Sequence, residues 1–339
     1  MPPNSRVIQA TSPNKSMADH ADDDFFNGDV FIYRGGRAPQ HITHARIDKS
    51  IDDIEAKAFE GCQNLLTVET HNGLRKIRRW AFSGCISLRR INLRSAVEID
   101  EYAFDDCKNL QSVEFGDRLE TIGTSAFARC DSLSHLRLPS IITIGGTAFV
   151  DCHHLTDIEF SEQLETIEGG TFANCVRLQR IAIPLKRDLF EISESLQKYT
   201  QCLECEQLTT VDLVGQAHTK TIASFHMESW RSEMIAEINR INRVLPNTPA
   251  DNYDKAEEIM QWMESVIDKM DHYKAEHNRY VKEGTTLLEL ALWKAKLDEK
   301  DERRTKKVKV DAESARKERR ITCGADTVIK NALPFLQLV

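Results

Sequence analysis

No run of apolar residues in this 339-residue chain approaches the roughly 18 that a membrane-spanning helix requires, which excludes such a helix and argues against membrane insertion. Residues 1–26 hold no apolar h-region and no small-residue cleavage site. That polar stretch, with three prolines and the acidic run Asp22, Asp23 and Asp24, reads as a flexible arm over residues 1–27 and not as a secretory signal. A cytoplasmic or nuclear location is therefore expected, and in a reducing compartment the nine cysteines are expected as thiols. Glycine (15) and proline (9) are too scarce for a collagen-like or low-complexity chain. Positive charge is short as well: 45 Lys and Arg against 53 Asp and Glu leave a net of −8, which opposes a phosphate backbone and disfavours nucleic acid as a partner. There is no Walker glycine loop, no G-x-S-x-G elbow and no paired-carboxylate signature, so no catalytic residue, cofactor or small-molecule substrate is expected.

What the chain does have is a period. Cys62, Cys85, Cys107, Cys130, Cys152 and Cys175 follow at steps of 23, 22, 23, 22 and 23 residues, a regularity that a disulfide framework would not keep. Three residues before them stand Phe59, Phe82, Phe104, Phe127, Phe149 and Phe172; three after them stand Leu65, Leu88, Leu110, Leu133, Leu155 and Leu178. An apolar position follows (Val68, Ile91, Val113, Leu136, Ile158, Ile181), and a further rung runs through Ile54, Ile77, Ile99, Ile122, Ile144 and Ile167. The period falls in the roughly 20–29 residue range of leucine-rich repeats.

Apolar residues two apart point to one face of a short strand. Stacked copies give a parallel sheet, with the remaining apolar residues of each coil packed behind it. A single coil buries too little to offset the ordering of its own backbone, so the coils must stack into a solenoid with closed ends. Upstream, Ile42, Ala45 and Ile47 mark a truncated coil with Pro39 at the cysteine position, and residues 30–33 with Gly35 and Gly36 add a strand and turn. Downstream, Cys205, Leu208, Val211 and Leu213 restore the pattern after an insertion at 186–201. The solenoid with its caps is placed at residues 28–214.

The motifs F-E-G-C (59–62), F-S-G-C (82–85), F-D-D-C (104–107) and F-A-N-C (172–175) resemble the BspA-like class of leucine-rich repeats over about half of the chain, roughly 40–214. The whole chain, from V-F-I-Y-R-G-G at 30–36 to the helical end, is also similar to leucine-rich-repeat proteins of diatoms. The resemblance implies recognition of a protein or surface without catalysis. Many bacterial members of the class are exported, a step for which this chain shows no leader.

Recognition would fall to strand residues that point away from the core, on the concave face: Glu69, Arg90, Asn92, Glu114, His135, Arg137, Asp157, Glu159 and Arg180, alongside Thr67, Ser112, Ala182, Thr210 and Asp212. Seven such strands at about 4.8 Å span roughly 30 Å, room for one ordinary interface. This set has no aromatic residue, and its arginines are outnumbered by carboxylates, which predicts a polar, salt-sensitive contact. The alternative is that these are solvated strand positions.

Beyond Gly215 the apolar spacing becomes helical. Met227, Trp230, Met234, Ile238, Ile241 and Leu245 form one stripe, closed by Pro246 and Pro249. A second runs from Ile259 towards Tyr280 and is expected to stop at Gly284. Thr286 with Glu289 has capping-box spacing for a third helix. A bundle of three helices is predicted over 222–300, which makes the fold class α+β: a repeat solenoid with a parallel sheet of short strands, then a C-terminal helical bundle that packs on itself or offers a coiled-coil seam. Residues 301–339 read as a basic linker and an apolar tail. Arg303, Arg304, Lys306, Lys307 and Lys309 fit a nuclear-import cluster, which gives a second functional reading, a nuclear factor whose basic segment directs import or contacts nucleic acid.

Two cysteine motifs are set aside. Cys202 and Cys205 have C-x-x-C spacing without a thioredoxin-like context, and Cys152, His153 and His154 lack the further cluster that zinc needs. The primary reading is a non-enzymatic scaffold that binds a protein partner.

Overall fold

The computed structural model describes residues 30–193, 198–249 and 254–308. The expected arm at 1–27 and most of the expected tail, including Lys309, lie outside the described residues. Each coil supplies one strand to a front sheet, and the six coils from His44 to Ile167 also supply a two-residue strand to a back sheet. The first coils hold β1 (Phe31–Tyr33), β2 (His44–Ile47), β3 (Asp53–Ile54), β4 (Thr67–Glu69), β5 (Lys76–Ile77) and β6 (Arg90–Leu93). The middle coils hold β7 (Glu98–Ile99), β8 (Ser112–Phe115), β9 (Thr121–Ile122), β10 (His135–Leu138) and β11 (Thr143–Ile144). The last hold β12 (Asp157–Phe160), β13 (Thr166–Ile167), β14 (Arg180–Pro184) and β17 (Thr210–Val214), with the antiparallel hairpin β15 (Ile192–Ser193) and β16 (Lys198–Tyr199) inside the insertion.

All front and back strands pair in parallel, in order β1-β2-β4-β6-β8 and β10-β12-β14-β17 on the front and β3 through β13 on the back. Register is exact from coil to coil: Ile91 stands opposite Val113 and Ile158 opposite Ile181.

The core is a set of ladders. Phe59, Phe82, Phe104, Phe127, Phe149 and Phe172 are fully buried, and successive rings stack with centroids 4.9–6.1 Å apart and planes within 8°. Tyr33 closes the stack against Phe59 at 5.0 Å. The thiol of each ladder cysteine from Cys85 to Cys205 donates to the carbonyl of the phenylalanine one coil earlier, at 3.1–3.3 Å. The eight described cysteines are unbridged and buried, and burial raises the Cys85, Cys130, Cys175 and Cys205 thiols well above the ordinary range. The residue before each ladder cysteine, whether Gly61, Gly84, Asp106, Arg129, Asp151, Asn174 or Glu204, has φ between 58° and 74°. That left-handed turn is why G, D and N recur in the motif.

The helical region departs from the three-helix expectation. Its elements are α1 (Ala217–Ser224), α2 (Glu228–Ile238), α3 (Ile241–Val244) with a 3-10 turn at Leu245–Asn247, and one long helix α4 (Asp254–Val308). The stripe from Met227 to Leu245 bends at Asn239 and Arg240, where Arg240 reaches both Glu237 and Glu258 at 3.0 Å. Gly284 does not stop α4: its cost of about 1 kcal/mol relative to alanine is small beside the loss of helix continuity. Thr286 does not cap; its hydroxyl donates to the Lys282 carbonyl one turn back, at 2.9 Å. The expected linker begins inside this helix, because residues 301–308 contain no glycine or proline.

Docking of the helices on the last coil is specific. Lys255, only 3% exposed, donates to the carbonyls of Cys205, Glu206 and Leu208 at 3.0, 2.7 and 2.8 Å, and its burial lowers the ammonium pKa. The Val211 N–H, on the edge strand, donates to Asn242 Oδ1 at 2.8 Å. Trp262 is fully buried and donates to the Glu237 carbonyl at 3.0 Å.

Candidate functional site

The front face is wired by ion pairs between neighbouring coils. Arg46 meets Glu69, Arg94 meets Glu114 at 3.2 Å and Arg137 meets Glu159 at 3.2 Å. Arg180 bridges Asp157 at 3.1 Å and Asp212 at 2.6 Å, and the bond to Asp212 is the largest cause of its raised pKa. Arg46 and Arg94 stand outside the predicted set. The first lies on the cap strand and the second just past the end of β6, so a reading confined to seven strands passes over both. With them the face is balanced in charge, not acidic, and most of its charges are already partnered. Such exposed pairs are worth about 0–1 kcal/mol each.

The predicted residues do not form one site. Glu114, His135, Arg137, Asp157 and Glu159 converge with Arg94, Val113, Phe115 and Leu136 around a depression of about 410 Å³. Glu69 belongs to a separate pair, and Arg180 lies between its two aspartates, outside this lining. Asn92 turns its Oδ1 to the Arg94 N–H at 3.0 Å, which holds the turn after β6. Arg90 is exposed. Ala182, expected on the outward face, is 1% exposed; it stands in register between Glu159 and Asp212.

The depression marks a break in the sheet. β8 pairs with β6 and β10 with β12, but the front strands fall into two sheets with β8 at the edge of one and β10 at the edge of the other. On neighbouring coils the inward residues Ile91 (3%), Leu93 (0%), Ile158 (0%) and Phe160 (3%) are buried. On β8, by contrast, Val113 and Phe115 are only half-buried. Phe115 lies edge-on to the core ring of Phe127 at 5.9 Å. Gly116 follows directly, and a Cβ there would lie 1.9 Å from the Arg94 carbonyl oxygen, so the approach of β8 to the preceding coil requires glycine. An aromatic edge is therefore present on a face whose outward positions hold none.

The basic residues Arg303, Arg304, Lys306 and Lys307 fall on the last turns of α4. His153 and His154 both bond Asp131, at its carboxylate and its carbonyl, at 2.8 Å each. Among the described residues no three His, Cys, Asp or Glu side chains are placed to hold a metal ion, and no helix is long and apolar enough to cross a membrane.

Parallel coils of 22–23 residues with a buried Phe-Cys-Leu ladder define a leucine-rich-repeat solenoid. The family model described as the BspA type leucine rich repeat region matches in six copies over residues 38–143, 93–203 and 132–242. The chain belongs to that family. Among solved structures, it is similar to the leucine rich repeat protein of T. pallidum, with 27% identity over 53% of this chain and 82% of that one (TM-score 0.44). It is also similar to the pneumococcal vaccine antigen PcpA (19%, 56% and 67%, TM-score 0.33). A leucine-rich repeat protein from Eubacterium ventriosum matches at 17% identity over 50% of this chain and 48% of its own length (TM-score 0.34). No curated protein matches.

Proposed function

We propose that this protein is a non-enzymatic scaffold that binds a protein partner through the front face, with the contact centred on the depression between β8 and β10. The observation that carries the reading is the partly buried Val113 and Phe115 amid a field of paired charges. An apolar anchor ringed by polar groups is the arrangement in which a few residues dominate binding. Family membership supports recognition over catalysis, since solenoids present extended surfaces for binding.

Affinity purification of the tagged full chain tests this, with wild type beside Arg137→Glu and Arg90→Glu. Arg137 lines the depression and Arg90 does not. A partner set that weakens with the first and survives the second supports the assignment; equal loss or no loss removes it. The import reading rests on the basic residues at the end of α4. Deletion of residues 303–309 should redistribute the tagged protein, and an unaltered distribution discards that role.

A further inference from the structure

The corner between α1 and α2 is held to α4 by two histidines. His226 Nδ1 lies 2.9 Å from His277 Nδ1, and the rings are 5.2 Å apart. Beneath them is an aromatic cluster: Trp230 stacks on Tyr273 at 5.0 Å, and Phe225, 1% exposed, meets both edge-on. His226 also stands edge-on to Trp230 at 4.9 Å and Tyr280 at 5.4 Å.

An N–H···N bond needs one nitrogen with a proton and one without. It survives a single protonation of the pair, but two imidazolium rings leave no acceptor and place like charges about 3 Å apart. We infer that the His226–His277 bond is an acid-sensitive latch that holds the α1–α2 corner to α4 at neutral pH and opens when the second proton binds.

Among the described residues, the carboxylates flanking the corner hold other partners. Lys220 is on α1; Glu228, Arg231 and Glu233 are on α2; Lys274, Glu276 and Arg279 are on α4. Glu228 faces Arg231 at 4.0 Å, Glu233 takes the Tyr273 hydroxyl, and Glu276 holds Arg279 at 2.6 Å. Arg231 also donates to the Phe225 carbonyl at 3.2 Å, which adds positive charge at the corner. Burial, then the charge on His277, lowers the His226 pKa. A lowered histidine contributes stability that is present above about pH 6.5 and lost as pH falls below it.

Hydrogen exchange on the full chain tests the latch. After correction for intrinsic rates, protection of the amides at 226–234 should fall between pH 7 and pH 5 by up to about tenfold per pH unit, while the solenoid amides at 104–110 hold. In His277→Gln the amide can turn either its NH2 or its oxygen to His226, so protection should fall clearly less than in wild type, since only the burial of His226 then opposes its proton; His226→Gln is the mirror variant if the first fails to fold. A flat wild-type profile, or an equal fall in whichever glutamine variant folds, overturns the inference.

Discussion

The Cys85 sulfur lies 3.1 Å from the carbonyl oxygen of Phe59, so one thiol ties each coil to the ring ladder of the coil before it. This geometry requires the protonated form. Ionisation would set a thiolate against a carbonyl oxygen in a dry core, which is why burial raises these thiols.

The first prediction follows. At pH 8 the eight described cysteines should resist alkylation in the native protein and react fully in denaturant, as read by peptide mass mapping. Because burial raises the folded pKa of the seven ladder thiols, their contribution is intact below the unfolded value of about 8.5. It should be lost as pH rises further, since the unfolded chain releases protons that the folded one keeps. A wild type whose stability is flat from pH 8 to pH 10 would contradict this linkage.

The residue before the ladder cysteine is left-handed in every described coil, but its identity changes. At Gly84 an added Cβ would find its nearest atom at 3.6 Å, so Gly84→Ala should cost about 1 kcal/mol from backbone conformation alone. Glu204 has φ 59° and is exposed; Glu204→Gly should gain up to about 1 kcal/mol. Thermal unfolding of the pair reads both signs, and shifts in the same direction would refute the conformational account.

Lys255 is the joint between solenoid and helices. Replacing it with methionine keeps the apolar stem but leaves the carbonyls of Cys205, Glu206 and Leu208 without their shared donor. Charged hydrogen bonds of this kind are worth about 1.5–3 kcal/mol, so Lys255→Met should lower stability by about 3 kcal/mol in urea. A change under 1 kcal/mol would mean that the end of the solenoid is closed by packing alone.

The period, the caps and the burial of the ladder were legible because every coil must fill the same space behind the same strand, so Phe, Cys and Leu recur at fixed offsets. The left-handed turn was not, since Gly61, Asp106, Arg129 and Glu204 share a conformation and no chemistry. Nor was the break beside β8: Val113 and Phe115 are residue types that neighbouring coils bury, and nothing in their identity marks the end of the sheet. Gly284 reads as a helix end by local propensity alone, whereas the continuity of α4 on both sides carries the helix through it.

The Arg137–Glu159 pair offers the most discriminating test of the front face. Both residues line the depression, and they pair across β10 and β12 at 3.2 Å. Their side chains are 78% and 37% exposed, so Arg137→Glu should change stability by under about 1 kcal/mol even with like charges side by side. The exchanged double variant, Arg137→Glu with Glu159→Arg, restores the pair and its stability. If the pair serves only to order the sheet, the exchange also restores the partner. If the partner reads the guanidinium at position 137, as the proposed contact requires, binding remains weakened in the exchange while thermal stability recovers. Calorimetry on the purified complex separates the two, because coupling in stability and coupling in binding are then measured on the same four proteins: wild type, Arg137→Glu, Glu159→Arg and the exchange.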